Sequence, residues 1–519
     1  MHSTKEWNCL KATWLVILLA FIARVLLAGQ FQLAPDEANY WQWSRYLDLG
    51  YHDHPPLIAW TIRLATSLFG QVEFAVRLPT ILAGAIGSIY LSLLAGRWFS
   101  YRCGFHVALL SQVVLLFNGC ALIATPDGLL LACWAGAMYH ASRAMERNRI
   151  LPWLLTGFWF GMGLLAKYTM LLFLPSLFLA MLVVREYRNH LTTGAPWAGL
   201  ILGLIVFSPV VYWNSRHEWA TFRHVLFQGG IDDSTLFTFR YIGDFLGSQI
   251  LLLSPVVFFL IVFAWIFSKG TARVRKQDVS FLKAMSLTGF LIFFLLAFHV
   301  RIYGNWPAPV YLAALVLIAA LYSPGRSTLD GGSYFWWKTG VVTAGLMTLP
   351  VLVQVVWPVL PIPLHLDRTA REVNGWKELA AIVDTRLQAM PHPEKTFVFG
   401  LTYQYASELA FYMPGQPRTV SINRWTRPNV YDFWFSDDML LGQDGVGVYS
   451  YKGMDRHLAT LFDRVEPAEE IRLYRISGWY GKQLIRTLYL VRCYGFRGGL
   501  RWLPERKDDI RATREQTGS

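Results

Sequence analysis

A chain of 519 residues that is 54% apolar and only 16% charged, with mean hydropathy +0.34, departs from the roughly 25% charge of soluble domains and excludes an ordinary soluble protein. Its formal charge of +13 does not argue for a nucleic-acid partner, because membrane proteins retain basic residues on their cytoplasmic side. Five cysteines (Cys9, Cys103, Cys120, Cys133 and Cys493) form no CxxC pair, which argues against a disulfide framework or a zinc motif.

The first apolar run is Ala12–Gln30, read as a retained anchor. Arg24 sits inside it, either facing protein or snorkelling to a headgroup. Further runs follow at Leu78–Gly96, Phe105–Thr125, Gly128–Ser142, Ile150–Ala166, Tyr168–Val184, Pro196–Trp213, Phe245–Phe267, Phe281–Phe298, Pro307–Tyr322 and Thr339–Pro358. The pattern predicts an α-helical polytopic membrane protein with about 11 transmembrane helices. With the N-terminus in the cytoplasm, inner loops hold Arg97, Arg102, Arg143, Arg147, Arg149, Arg185, Arg188, Lys269, Arg273, Arg275, Lys276 and Arg326. The outer loops then receive Asp36, Glu37, Asp48, Asp53, Glu73, Asp127, Glu218, Asp232, Asp233 and Asp244.

Three segments are expected. Residues 1–364 form the transmembrane catalytic domain, with a first periplasmic loop at 31–77. Residues 365–503 form a periplasmic soluble α/β domain, and 504–519 a disordered charged tail. In the α/β domain, Trp376–Met390 and Met454–Phe462 read as helices. Thr396–Phe399, Arg418–Ile422, Val446–Tyr451 and Ile471–Ile476 read as strands.

The candidate chemistry gathers on the outer loops. Asp36 and Glu37 follow the first helix, where a carboxylate can act as a general base. Asp36 as an N-cap, with Glu37 in the first helical turn, accounts for the same pair structurally. His52-Asp53-His54 precedes Pro55-Pro56, which holds the preceding residues extended. Adjacent side chains on an extended strand diverge, so the three together favour substrate contact over a complete metal site, with His54 and His224 as metal candidates. Asp127 marks a sharp outer turn and either caps the next helix or binds substrate. Lys167 is a basic residue on the side the positive-inside rule leaves acidic, which suits an anionic lipid phosphate. Outer loops also carry Arg216, His217, Arg223 and His224, and His299, Arg301 and Asn305. These bind phosphate or anchor the chain at the interface.

With these residues in hand, the chain resembles GT-C glycosyltransferases, in the branch of protein O-mannosyltransferases and lipid A aminoarabinose and galacturonic acid transferases. The resemblance rests on Asp36-Glu37, DHPPL at Asp53–Leu57, TPDG at Thr125–Gly128, AKYT at Ala166–Thr169, NWPAP at Asn305–Pro309 and YQYASELAFY at Tyr403–Tyr412. It implies an inverting transferase using a polyprenyl-phosphate-linked sugar donor within the membrane. The acceptor would be lipid A, a core sugar or a protein. Asp36 would deprotonate the acceptor, and Lys167 and Arg301 would hold the donor phosphate. Glu37, Asp53, His54, Asp127 and Asn305 would contact substrate. No cofactor is required beyond a possible divalent metal. Where aminoarabinose transferases carry an acid followed by Lys-Pro-Pro, this chain has Asp53-His54-Pro55-Pro56, which favours the galacturonic acid branch. A transporter is the rival from another class. It would show an internal repeat with paired broken helices, and acids at the midplane, where this sequence shows no repeat and gathers its acids at one face. A non-enzymatic scaffold would not need this gathering of acids, imidazoles and a lysine.

Overall fold

The computed structural model describes residues 4–147, 149–228, 237–270, 274–322 and 331–501. Asp232, Asp233, Arg273, Arg326 and the tail from Pro504 lie outside the described residues. The helices run in chain order as α1 (Thr4–Leu27), α2 (Pro35–Arg45), α3 (Leu57–Phe69), α4 (Glu73–Trp98), α5 (Tyr101–Val113), α6 (Leu115–Leu122), α7 (Pro126–Arg147) and α8 (Ile150–Ala166). They continue as α9 (Phe173–Val183), α10 (Gly194–Arg216), α11 (Ala220–Gln228), α12 (Ile242–Leu253), α13 (Pro255–Phe267), α14 (Lys276–Leu296), α15 (Val310–Tyr322) and α16 (Gly331–Val356). Packing divides the chain into two units, 1–28 with 48–351, and 29–47 with 352–519. Residues 29–47 therefore belong with the C-terminal part of the chain.

The first unit is a multi-pass helical bundle. Among the described residues, five helices are long and apolar enough to cross a membrane, or up to eight if each bent pair is one span. Two runs that read as continuous are broken, and a third ends in a sharp bend. α5 and α6 bend by 71°, at Val114. α12 and α13 bend by 108° at Ser254, where φ is +72° and Pro255 follows. A residue before proline is driven out of the α region, which forces that break. The run from Tyr168 opens with a 3-10 turn, and the chain bends by 118° after Val183. The span read as the loop 31–77 holds two helices, α2 and α3. α7 is buried along most of its length and packs on α4 and α8. α8 lies against α10, where small residues let the backbones meet. A Cβ on Gly157 would fall 1.8 Å from the Gly199 carbonyl oxygen, and one on Gly161 2.6 Å from that of Gly203.

The second unit carries a six-stranded sheet. Its helices are α2, α17 (Arg368–Glu372), α18 (Trp376–Gln388), α19 (Tyr403–Tyr412) and α20 (Asp455–Leu458). Its strands are β1 (Thr396–Gly400), β2 (Thr419–Ser421), β3 (Asp444–Tyr449), β4 (Phe462–Val465), β5 (Glu469–Ser477) and β6 (Gly481–Phe496). The order is β2-β1-β3-β6-β4, with β5 also paired to β6. β1 runs parallel to β2 and β3, and β6 runs antiparallel to β3, β4 and β5. Alternation along the strands builds two cores. Val398, Val446, Leu488 and Leu490 join Trp376, Leu379 and Val383 of α18 on one face. Phe397, Phe399, Val491 and Cys493 join Phe462 and Phe496 on the other. The helix expected at Met454–Phe462 is a single turn, because Phe462 opens β4 instead.

Candidate active site

In the membrane unit, the loop 48–56 is tied down before it presents any chemistry. Trp213 of α10 donates to the Asp48 carboxylate at 2.8 Å, Trp60 of α3 donates to the Asp48 carbonyl at 2.9 Å, and Thr221 of α11 donates to the Tyr51 carbonyl at 2.8 Å. This tethering brings α11 over the loop, so His224 meets Asp53 and His52 from a distant part of the chain. Oδ1 of Asp53 lies 3.3 Å from both His52 Nδ1 and His224 Nε2. The two imidazole rings stand 4.7 Å apart. The three ligand atoms lie within 4.8 Å of one another, a set of two imidazoles and a carboxylate that suits a divalent ion such as zinc. The metal candidates were His54 and His224. The structure brings His224 into this group with His52, and His54 is not one of the three.

His54 is half-buried, and desolvation lowers its pKa to about 4. The positive charge of Lys167 pushes the same way, against the weaker opposing pull of Asp53 and Asp127. His54 is therefore a neutral imidazole at physiological pH, not a cation.

A second group sits at the turns before α7 and after α8. Lys167 Nζ donates to Asp127 Oδ1 at 2.8 Å, with both side chains buried. Asn305 Nδ2 donates to Asp127 Oδ2 at 2.9 Å. The Thr125-Pro126-Asp127-Gly128 turn needs its glycine, since a Cβ there would lie 2.3 Å from the Cys120 carbonyl oxygen. Arg301 stays outside this group. It is exposed, 6.0 Å from the centre of the Tyr303 ring, and makes no ion pair among the described residues.

Asp36 and Glu37 fall in the second unit, in the first turn of α2. The N-cap is Ala34, not Asp36. Glu37 is fully buried, and its Oε2 accepts from the Ala34 backbone N–H at 2.9 Å. Its carboxylate is used in closing the start of the helix. Asp36 is exposed, and its Oδ1 accepts from the Tyr403 hydroxyl at 3.0 Å. Sequence reasoning missed Tyr403 and the place of His52 beside His224. Neither has a local signal, because each partner is supplied from a distant segment.

Several known proteins are similar to this chain. Residues 53–213 match the family described as "Dolichyl-phosphate-mannose-protein mannosyltransferase". Lipid A galacturonosyltransferase RgtD of Rhizobium johnstonii is 27% identical over 310 residues, 59% of this chain and 62% of that one. The undecaprenyl phosphate-α-4-amino-4-deoxy-L-arabinose arabinosyl transferase of Pseudomonas aeruginosa is 30% identical over 224 residues, 38% of this chain and 40% of that one. The matched stretch thus spans less than two thirds of either relative. The crystal structure of ArnT from Cupriavidus metallidurans bound to undecaprenyl phosphate superimposes with a TM-score of 0.62 at 16% identity, covering 94% of this chain and 98% of that one.

Proposed function

We propose that this chain, which has the GT-C glycosyltransferase fold, is an inverting transferase that moves a sugar from a polyprenyl-phosphate donor to lipid A or core oligosaccharide. The observation that carries the reading is the buried Lys167–Asp127 pair, with Asn305 bonded to the same carboxylate. A lysine ammonium has three donors, and Asp127 takes one of them. The others suit a lipid phosphate. The apolar cleft of about 360 Å³ between α8, α9 and α10, lined by Phe160, Phe173 and Phe178, lies on the helices that flank Lys167 and suits the polyprenyl tail. Arg301 serves as a second, exposed cation for the same donor.

In this reading, Asp36 accepts the proton of the acceptor hydroxyl. The freed oxygen attacks the anomeric carbon from the face opposite the phosphate. The bond from that carbon to the phosphate oxygen breaks, the lipid phosphate leaves with the electron pair, and the configuration inverts. Lys167 balances the charge that develops on the leaving group. Asp127 and Asn305 orient Lys167, and Glu37 fixes the helix that carries Asp36. Asp53 and His54 contact the sugar. A divalent ion, if bound, would be held by His52, Asp53 and His224 and would supply local positive charge.

The reading includes about 11 crossings of the bacterial inner membrane, counting the shorter apolar helices with the long ones. The catalytic domain runs over 1–364, and the 365–503 domain and active site face the periplasm. The match over residues 53–213 favours a second reading, a protein O-mannosyltransferase-like enzyme. Mass spectrometry of lipid A and of envelope glycoproteins, from cells with and without the protein, tests both. A sugar lost from lipid A supports the first reading, and a hexose lost only from proteins replaces it with the second. Asp36→Asn should abolish the modification, since losing a general base costs about 10²–10⁴-fold in rate.

A further inference from the structure

The tip of the β5–β6 hairpin leaves large apolar side chains in the open. Ile476 is 82% and Trp479 69% exposed, and Tyr480 and Leu484 are exposed as well. Alternation along the paired strands sends Ile471, Leu473 and Ile485 into the core. The register pairs Tyr474 with Leu484 and Ile476 with Lys482, so these four share the outer face. The Lys482 ammonium stands 4.2 Å from the centre of the Tyr474 ring. A single exposed apolar residue means little, but these side chains gather at one end of one hairpin. That end is also held in place. Ser477 Oγ donates to the Pro358 carbonyl at 3.3 Å, and the Tyr480 hydroxyl donates to the Pro361 carbonyl at 3.0 Å. Pro358 and Pro361 follow closely on Val356, the last residue of α16. Within α16, Tyr334–Val356 is long and apolar enough to cross a membrane.

We propose that the β5–β6 hairpin is a membrane anchor, with Ile476, Trp479 and Tyr480 seated in the lipid headgroup layer beside the end of α16. Covalent reach carries the argument. The 23 residues of Tyr334–Val356 rise about 35 Å as a helix, which fills a hydrocarbon core of about 30 Å and puts Val356 at its boundary. Two further residues extend at most about 7 Å. The polar layer on each side of the core is about 5–8 Å deep. Pro358 therefore lies within that layer or at its edge, and the hairpin hydrogen-bonded to it is held at the same level. Tryptophan and tyrosine suit that layer, because each sets an apolar ring against lipid while its N–H or O–H keeps a polar partner. Lys482 adds attraction to anionic headgroups. Trp357 and Leu360, in the segment after α16, are exposed in the same way and widen the patch. A protein partner would also cover apolar side chains, but it would not require them at the level where a membrane helix ends. β3, β4 and β5 all pair with β6, so an anchored hairpin ties the whole sheet to the lipid surface.

The test is Trp479→Cys in the full-length chain, with Cys9→Ser to remove the partly exposed native cysteine; the other four are buried. The introduced thiol is labelled with bimane, and the protein is placed in nanodiscs of phosphatidylethanolamine and phosphatidylglycerol. Leu441→Cys in the same background is the control. Leu441 is exposed, and the N–H of the next residue, Gly442, donates to the carbonyl of Phe496 at the opposite end of β6. Quenching is read with iodide in the water and with a nitroxide carried on the lipid headgroup. At position 479 the expected result is loss of most iodide quenching, strong quenching by the headgroup nitroxide, and emission shifted to shorter wavelength. At position 441 iodide should quench and the nitroxide should not. Equal iodide quenching at both positions would overturn the proposal, because the tip would then stand in water. Shielding of position 479 from both quenchers would also overturn it, because protein, a second copy or another partner, would then cover the tip. Ile476→Cys repeats the measurement from β5 and decides the matter if Trp479→Cys does not fold.

Discussion

Lys167 and Asp127 form an ion pair with side chains only 9% and 5% exposed, and that burial sets what substitution does. Removing one partner of a buried pair strands the other charge, at a cost of about 3–5 kcal/mol. Lys167→Met should therefore lower the unfolding temperature in detergent, and Lys167→Met with Asp127→Asn should recover most of it. Donor binding should not recover, because the double variant still lacks the ammonium. A loss of about 1.5–3 kcal/mol is expected in donor binding, read as a raised donor KM. His54 yields a pH prediction. Its folded pKa of about 4 lies below the ordinary 6.5, so the neutral form is the one the fold favours. The stability this contributes is present above pH 6.5 and is lost as pH falls from 6.5 towards 4. His54→Gln should flatten the fall of melting temperature across that window. Equal slopes in both proteins would mean that His54 is more solvated than its surroundings imply.

At the scale of elements, the close approach of α8 and α10 is the most sensitive packing. Gly157→Leu would drive a side chain into the Gly199 carbonyl, and folded yield in detergent should collapse. Gly345→Leu, where no atom lies within 4 Å of a new Cβ, should be tolerated in the same assay. The membrane helices were legible because long apolar runs have few alternative explanations. The breaks at Val114 and Ser254 were not, since hydropathy does not change across them. Only Pro255 offered a cue, and proline is also common inside spans, as Pro79 and Pro209 show. β6 was missed because Lys482, Gln483, Arg486 and Arg492 interrupt its alternation, although it is the strand to which β3, β4 and β5 all pair. At the site, Asp36, Asp53, Asp127, Lys167 and Asn305 stood out as polar residues beside apolar runs. His224 stood out as a metal candidate, but its meeting with His52 and the bond from Tyr403 to Asp36 did not show, because those pairings come only from contacts between distant segments.

The whole molecule has a direction across the membrane that labelling can test. A cysteine placed beside Gly415 should react with an impermeant maleimide from the periplasm. One placed at Lys269 should react only after the membrane is opened. The reverse pattern would sink both the orientation and the enzymatic reading. The two packing units also interleave along the chain: residues 29–47 are built into a unit whose remainder begins at Leu352. This has a consequence in time. Asp36 and Tyr403 are 367 residues apart, so at a synthesis rate of ~5–20 residues per second α2 waits roughly 20–70 s for the helix that covers it. Trp41, fully buried in the finished fold, lacks its edge-to-face partner Phe411 during that interval. Ribosome-arrested chains that stop short of Tyr403 should be cut by trypsin at Arg45, which in the complete protein is bound to the carbonyls of Gln416 and Pro417. Longer chains should resist, and the chain length at which protection appears would date the docking of α2 against the C-terminal part of its unit.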